Sequence, residues 1–242
     1  MTKISCIIPA GNEAKFIKHA IDSLQKSAKY ADATFDKDDL EVIVVCNGTT
    51  DGTASIAEAA GATVITRPAG IGVSRARNIG AWLANSEHEI LIFLDADSFV
   101  DEQAISEIIE KFKPYSYGTV LGQPDTQSFL YSFFFFIKNT VHRLGLYKGA
   151  LGGLMFFDKQ LFHDIGGYAE NMAVDEIYEI SRRARANGAK YILVKDSFAY
   201  TSMRRFEKYG PINMLMFWLK ARYMNIFKKK VPGANDYKAI RD

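Results

Sequence analysis

The stretch "ILIFLDADSF", from Ile90 to Phe99, joins a continuous apolar run to two aspartates that a single alanine separates. Five apolar residues in succession are typical of a strand that is buried on both faces, as in a parallel sheet covered by helices. Alternate side chains of an extended chain share a face, so Asp95 and Asp97 are predicted to project in the same direction. The sequence therefore predicts a buried strand that ends in a pair of carboxylates.

The residues before this stretch alternate short β-rich runs with longer helical patterns. The β-rich runs are "KISCIIP", "LEVIVVC", "ATVITR" and "EILIFL", and the helical patterns cover Glu13 to Lys29, Asp51 to Ala60 and Val73 to Asn85. Strict rotation of strand and helix indicates parallel strands joined by crossover helices. We expect an α/β fold with a doubly wound, mostly parallel sheet flanked by helices, in which ligands bind at the carboxyl ends of the strands.

The composition narrows the class of protein. The chain has 242 residues, 48% of them hydrophobic, and its formal net charge of +2 gives no general attraction for a nucleic acid. Cys6 and Cys46 both fall in apolar runs, so we interpret them as reduced core residues. No secretory leader and no run of 18 apolar residues is present, so the cytoplasm is the expected location.

Two carboxylates held close together are costly unless a cation lies between them. Mn²⁺ and Mg²⁺ prefer hard oxygen ligands and commonly bind one or two carboxylates together with substrate phosphates. Asp95 and Asp97 at the ligand-binding edge of a sheet therefore predict a divalent cation that neutralises a diphosphate. In the alternative interpretation, Asp97 or Ser98 caps a helix that begins near Asp101, and Asp95 faces solvent.

Several motifs, in this order and at this spacing, resemble those of family 2 glycosyltransferases with the GT-A fold. The motifs are "CIIPAGNE", "VIVVCNGTTDGT", "GVSRARNIGA" and "LIFLDADS", and the later block "GALGGLMFFDKQLFHDIGGYAENMAVDEIYEISRRARANGAKY" is similar to the acceptor side of that family. The resemblance implies a single GT-A domain over 1–242. Its nucleotide-binding half is 1–125, its smaller mixed acceptor-side half is 126–205, and its helical tail is 206–242.

The resemblance implies an inverting transferase that moves a sugar from a nucleoside diphosphate sugar to an acceptor hydroxyl. Asp97, with Asp95, would hold the metal, and Asp95 would also approach the ribose. Arg204 would neutralise the departing diphosphate. The remaining donor-side residues that the resemblance implies are Pro9, Ala10, Glu13, Asn47, Arg75, Arg77, Gly152, Gly153 and Arg205.

Several of these assignments have a plain structural alternative. Arg75 or Arg77 would serve equally well on a solvated helix face, and a Gly-Gly pair in a strand can mark a bulge. Arg204 and Arg205 could form a surface pair with Glu207.

The chain departs from the family pattern at two places. Cys46 stands where many relatives have an aspartate that pairs with a base edge, and a thiol cannot replace that acceptor. The acidic pair of the acceptor side reads Asp175 then Glu176. Inversion needs one carboxylate to take the proton of the attacking hydroxyl, and we favour Asp175 over Glu176 for this role. The alternative role for either residue is favourable charge at a helix N-terminus.

The aromatic stretch from Phe129 to Leu146 and the segment from Ile212 to Phe227 allow two interpretations. The favoured one is that they pack on each other as core helices. In the other they form a peripheral membrane surface with Lys228, Lys229 and Lys230, at the inner face of the membrane, and the acceptor is lipid-linked.

Two other functions compete with transfer. A sugar-phosphate nucleotidyltransferase would need a glycine-rich basic loop after the first strand, which "PAGNEAKF" lacks. A non-catalytic nucleotide-sugar-binding protein would accommodate Cys46 and the unusual acidic pair.

Overall fold

The computed structural model describes residues 2–32, 39–172 and 175–226, and within these ranges the strands form a central sheet with helices on both faces. The strands are β1 (Ile4–Ala10), β2 (Leu40–Asn47), β3 (Thr63–Arg67), β4 (Ile90–Leu94), β5 (Ser98–Val100), β6 (Ser116–Pro124), β7 (Leu154–Asp158) and β8 (Lys190–Thr201). The helices are α1 (Ile17–Ala31), α2 (Thr53–Ala59), α3 (Val73–Leu83), α4 (Ala104–Lys111), α5 (Phe129–Arg143), α6 (Lys159–Asp164), α7 (Glu176–Ala186), α8 (Arg204–Tyr209) and α9 (Pro211–Ile226).

One half of the sheet is parallel, in the order β3-β2-β1-β4. Every residue of β4 is buried, as its unbroken apolar run predicts. Alternate residues of β1 face opposite cores. Ile4 and Ile8 pack with α1, α2 and α4, whereas Ile7 packs with α3, α6 and α7. The predicted doubly wound arrangement is therefore confirmed.

The other half of the sheet is mixed. Strand β7 runs antiparallel between β4 and β6, while β6 pairs in parallel with β8. The predicted strand "YILV" is only the beginning of β8, which has 12 residues and pairs with both β6 and β5. The sheet is mostly parallel, as expected. Its antiparallel pairings place the start of β7 next to the end of β4, and the end of β8 next to β5.

Two local boundaries differ from the sequence prediction. Helix α1 begins at Ile17 rather than at Glu13, because the Glu13 carbonyl accepts the N–H groups of Phe16 and Ile17 at 2.9 Å each and closes a turn before the helix. The chain after the two aspartates forms β5 rather than a helix cap, and α4 begins only at Ala104 without a side-chain cap. The capping interpretation of Asp97 is therefore wrong.

Packing between the aromatic stretch and the C-terminal helices is confirmed for one side of α5. Phe135 is buried in a cluster with Met203, Phe206 and Met214. The opposite side of α5 is exposed. The three lysines at 228–230 lie outside the described residues. Among the helices of the described ranges, none combines the length and apolarity that a membrane crossing requires.

Candidate active site

The two aspartates directly after β4 are fixed by backbone hydrogen bonds. The Asp95 N–H donates to the Gly153 carbonyl at 3.0 Å, and the Ser202 N–H donates to the Asp97 carbonyl at 3.2 Å. The Ser98 N–H donates to the Asp95 carbonyl at 3.0 Å and closes a tight turn between them. Residues next to β7 and β8 therefore set the position of the carboxylate pair at the carboxyl end of the parallel strands.

Arg77 joins this pair to the acidic residues of the acceptor side. Its guanidinium donates to Asp95 Oδ1 at 2.7 Å and to Glu176 Oε1 at 3.0 Å, and it lies 5.1 Å from the centre of the Tyr168 ring. The Arg77 side chain is only 7% exposed. Burial alone would lower its pKa, but Asp95, Tyr168 and Glu176 raise the pKa above its ordinary value. Arg77 is therefore a permanent buried cation, and the solvated-face interpretation does not apply to it.

Arg204, at the first turn of α8, forms a second bridge. Its Nη2 lies 2.6 Å from Glu13 Oε1 and 2.9 Å from Asp97 Oδ2, and its guanidinium stacks over the Phe16 ring at 4.8 Å from the centre. The buried Nε of Arg204 has no hydrogen-bond partner among the described residues. The alternative in which Arg204 forms a surface pair with Glu207 is therefore not what the structure shows.

The two carboxyl groups that contact Arg204, those of Glu13 and Asp97, have raised pKa values. Burial raises the pKa of Asp97, and the neighbouring charge of Asp95 raises it further, although Arg204 and Arg205 act in the opposite direction. Burial likewise raises the pKa of Glu13 despite its hydrogen bond to Arg204. One arginine does not fully offset the burial and mutual repulsion of these carboxylates, so an added cation would be favourable here.

A divalent cation fits this arrangement chemically. Asp95 and Asp97 supply hard carboxylate oxygens at a partly buried edge, and the repulsion between them is relieved by a cation. Within the part of the chain that the structure describes, no group of three His, Cys, Asp or Glu side chains forms a complete cage. The other ligands would therefore have to be water and the oxygens of a diphosphate.

The glycine pair lies in a turn before β7, not inside a strand, so the bulge interpretation is wrong. Gly152 and Gly153 have φ angles of +56° and +75°. A Cβ on Gly153 would meet Ser98 Oγ at 2.4 Å and Asp95 Oδ2 at 3.1 Å, and a Cβ on Gly152 would meet the Ala199 carbonyl oxygen at 2.3 Å. The chain needs glycine here so that this turn can pass against the carboxylate loop.

The structure separates the two residues of the acidic pair. Glu176 begins α7 and binds Arg77, whereas Asp175 precedes the helix with a left-handed backbone, φ +70°. The Asp175 carbonyl accepts the N–H groups of Tyr178 and Glu179. Glu176 therefore joins Asp95 in the ion-pair network of Arg77.

The other predicted donor residues lie at the same edge of the sheet with different exposure. Pro9 and Ala10 end β1, and Asn47 ends β2, where its Oδ1 accepts the Ile71 N–H at 3.3 Å. Arg75 is exposed and lies 3.7 Å from Glu170, outside the Arg77 network.

Cys46 and Arg205 complete the set of residues that the sequence singles out. Cys46 is buried, and burial raises the pKa of its thiol, which favours the neutral form. Arg205 follows Arg204 on α8 and interacts electrostatically with Asp97.

Sequence reasoning missed the two rings that support the arginines. Phe16 packs on Arg204 and Tyr168 packs on Arg77. Aromatic residues are common in cores, and nothing in their local sequence marks these two. The Glu13–Arg204 pair is also invisible locally, because 191 positions separate its members.

Comparisons with known proteins agree with this arrangement. The profile of the family described as Glycosyl transferase family 2 matches residues 5–168. The succinoglycan biosynthesis protein ExoU of Rhizobium meliloti (strain 1021) is 26% identical over 215 residues, which cover 80% of this chain and 60% of that protein. The chain thus spans well under two thirds of the length of this curated relative.

Solved structures show the same fold. The mannosyltransferase PcManGT from Pyrobaculum calidifontis, in complex with GDP-Man and Mn²⁺, superposes with a TM-score of 0.71 at 18% identity, covering 96% of this chain and 66% of that one. TarS 1-349 from S. aureus, in complex with UDP-GlcNAc, gives a TM-score of 0.62 at 19% identity, covering 83% and 58%. The expected GT-A fold is confirmed by this likeness.

Proposed function

Because the chain belongs to glycosyl transferase family 2, we propose that it transfers a sugar, with inversion, from a nucleoside diphosphate sugar to an acceptor hydroxyl with the help of Mn²⁺ or Mg²⁺. The observation that carries the proposal is the pair of aspartates after β4, each of which contacts a different arginine. The GDP-Man and UDP-GlcNAc bound in the two structural neighbours support a nucleotide sugar as the donor.

On the donor side, the chain supplies carboxylates for a cation and an arginine for the diphosphate. Asp97 and Asp95 would hold the metal, which when bound supplies positive charge to the departing diphosphate. Arg204 already lies beside Asp97, and its guanidinium is a suitable donor to phosphate oxygens. Pro9, Ala10 and Asn47 would border the nucleoside.

On the acceptor side, Asp175 is the proposed base, and the engagement of Glu176 by Arg77 supports this choice. The Glu176 carboxylate is already held by Arg77 at 3.0 Å, which ties it to a structural ion pair. Glu176 then serves as a positioning residue, because it orients Arg77 and, through it, Asp95. Asp175 would take the proton from the acceptor hydroxyl as that oxygen attacks the sugar carbon opposite the diphosphate.

The acceptor itself is proposed only by class. The similarity to a succinoglycan biosynthesis protein supports a hydroxyl on a glycan. A cytoplasmic location agrees with the two free, buried cysteines.

A donor screen tests the proposal. Purified protein with Mn²⁺ or Mg²⁺ is incubated with nucleotide sugars, and release of nucleoside diphosphate is measured with and without glycan acceptors. We expect metal-dependent transfer, or slow donor hydrolysis without acceptor. Tight binding of a nucleotide sugar with neither reaction would identify a binding protein instead, and release of inorganic diphosphate from a nucleoside triphosphate would identify a nucleotidyltransferase.

Substitutions at the carboxylates separate binding from chemistry. Asp97→Ala should weaken metal-dependent donor binding at least about 10-fold by calorimetry, because it removes a metal ligand. Asp175→Ala should leave donor affinity within about 3-fold and reduce turnover at least about 100-fold, as removal of a general base does. Equal donor affinity in Asp97→Ala and wild type would contradict the metal assignment. Full turnover in Asp175→Ala, with none in Glu176→Ala, would move the base to Glu176.

A further inference from the structure

One side of α5 presents a continuous row of exposed apolar side chains. Phe129, Phe133 and Phe136 are 88%, 51% and 65% exposed, and their rings stack in succession, with centres 6.3 Å and 6.4 Å apart. Four further exposed residues extend the row, and together we call these the α5 apolar face: Phe129, Leu130, Phe133, Phe136, Ile137, Leu144 and Leu146. Soluble monomers rarely expose a contiguous apolar patch of this kind without a binding role.

The α5 apolar face belongs to a firmly anchored helix. On the opposite side of α5, Phe134 packs on Phe206 with ring centres 5.4 Å apart, and Phe135 is buried. The Asn139 side chain also bonds both the N–H and the carbonyl of Gly122, at 3.0 Å and 2.9 Å. The exposed rings are therefore displayed by a helix fixed to the sheet, and their exposure does not result from a frayed end.

The charges of the chain are segregated around this helix. Among the described residues, 126–157 and 208–226 contain no Asp or Glu, yet they hold six of the 30 Lys and Arg residues of the chain. All 28 acidic residues lie elsewhere, so these two segments carry +6 and the rest of the chain carries −4. The two segments also touch, because α5 packs against Phe206 and Met214 of α8 and α9. An apolar row on segments that contain cations and no acids is complementary to an anionic, apolar partner.

We propose that the α5 apolar face docks on the surface of an anionic lipid bilayer. Exposed phenylalanine and leucine side chains would enter the boundary between head groups and acyl chains, while the surrounding lysines and arginines meet anionic head groups. A second copy of the chain fits less well, because both copies would bring the same excess of cations to the interface, including the exposed Arg143. The mode is peripheral, since no described helix is suited to cross the membrane.

Docking in this orientation would also place the carboxylate site near the bilayer. Helix α8 supports α5 through Phe206 and carries Arg204, which contacts Asp97. If the proposed transfer holds, an acceptor anchored in the membrane would be delivered to this side. That implication rests on the proposed function, whereas the docking surface does not.

Flotation of the full chain with liposomes tests the docking surface without any activity measurement. Vesicles of phosphatidylcholine are compared with vesicles that contain about 30% phosphatidylglycerol, at low and at high salt. We expect wild type to float with the anionic vesicles and to be released by high salt. The triple variant F129S/F133S/F136S should bind at least about 10-fold more weakly, because each ring removed takes away buried apolar area.

A matched control replaces two other exposed apolar residues, Trp82 and Leu83 on α3, by serine. This W82S/L83S variant should float like wild type, and circular dichroism and thermal unfolding verify that both variants fold. The proposal is overturned if wild type stays unbound to anionic vesicles, or if the triple variant floats as well as wild type. A dimer in light scattering that the triple variant abolishes, without flotation of wild type, would assign the face to a second copy of the chain.

Discussion

Replacement of Arg77 by methionine tests whether the buried ion-pair network holds the site together. Methionine keeps much of the apolar length of arginine but removes the charge that Asp95 and Glu176 share. Loss of one member of a buried ion pair costs about 3–5 kcal/mol, mainly because its partner remains buried without a counterion. Glu176 is 15% exposed and carries most of this penalty, whereas Asp95 is 38% exposed and can be rehydrated.

We therefore expect Arg77→Met to lower the free energy of unfolding by about 3 kcal/mol, the lower end of that range. For a chain of this length the melting temperature should fall by roughly 6–12 °C. Thermal and urea unfolding, followed by circular dichroism, measure both quantities. The double variant R77M/E176Q also lacks the Glu176 carboxylate, which Arg77→Met leaves without a counterion. About half of the lost free energy of unfolding should therefore be recovered.

The matched control is Arg75→Met, two positions away on α3. The Arg75 side chain is 57% exposed and lies 3.7 Å from Glu170, so its removal should change the free energy of unfolding by less than about 0.5 kcal/mol. If Arg77→Met is as stable as Arg75→Met, the network does not stabilise the fold and the reasoning is refuted. A double variant less stable than Arg77→Met would also contradict the claim that an uncompensated Glu176 carboxylate causes the loss of stability.

Two further predictions concern the turn and the acids next to the carboxylate pair. Gly153→Ala should lower the free energy of unfolding by about 1–3 kcal/mol more than Gly166→Ala does. Both glycines have φ near +75°, but only at Gly153 would an added Cβ contact Ser98 and Asp95. Equal melting temperatures of the two variants would disprove the steric argument. Burial raises the pKa of Glu13 above its ordinary 4.5, so the folded state holds this proton more tightly than the unfolded state and loses stability as pH rises through the raised pKa. In urea unfolding, wild type should therefore lose stability relative to Glu13→Gln as the pH rises above 4.5, and a change in the opposite direction would show that burial does not dominate.

The parallel half of the sheet could be predicted because its signals are local. Apolar runs such as "ILIFL" show a strand covered on both faces, and the order of strands and helices gives the crossover connections. The position of Asp95 and Asp97 at the ligand edge follows from the same pattern. No distant residue is needed for these inferences.

The rest depends on contacts between residues far apart in the chain. Strand β5 has only three residues and exists because it pairs with β8, about 100 positions later. The start of α1 was predicted four residues too early, because Glu13 has helical character in isolation but its carbonyl closes a turn and its side chain pairs with Arg204. The exposure of one side of α5 is likewise decided by which neighbours the fold supplies, and composition alone does not distinguish exposed phenylalanines from buried ones.

The contact between Arg204 and Asp97 would affect whether the proposed site takes up a free cation or one already bound to a diphosphate. A bare ion arriving from solution meets a carboxylate that already has a counterion, and it must compete with the guanidinium for that oxygen. An ion that arrives with a diphosphate brings acceptor oxygens to which the guanidinium can transfer its hydrogen bonds. Under the proposed function, the site would therefore favour a cation bound to a diphosphate over a free cation, and this selectivity would come from exchange of hydrogen-bond partners rather than from the size of a cavity.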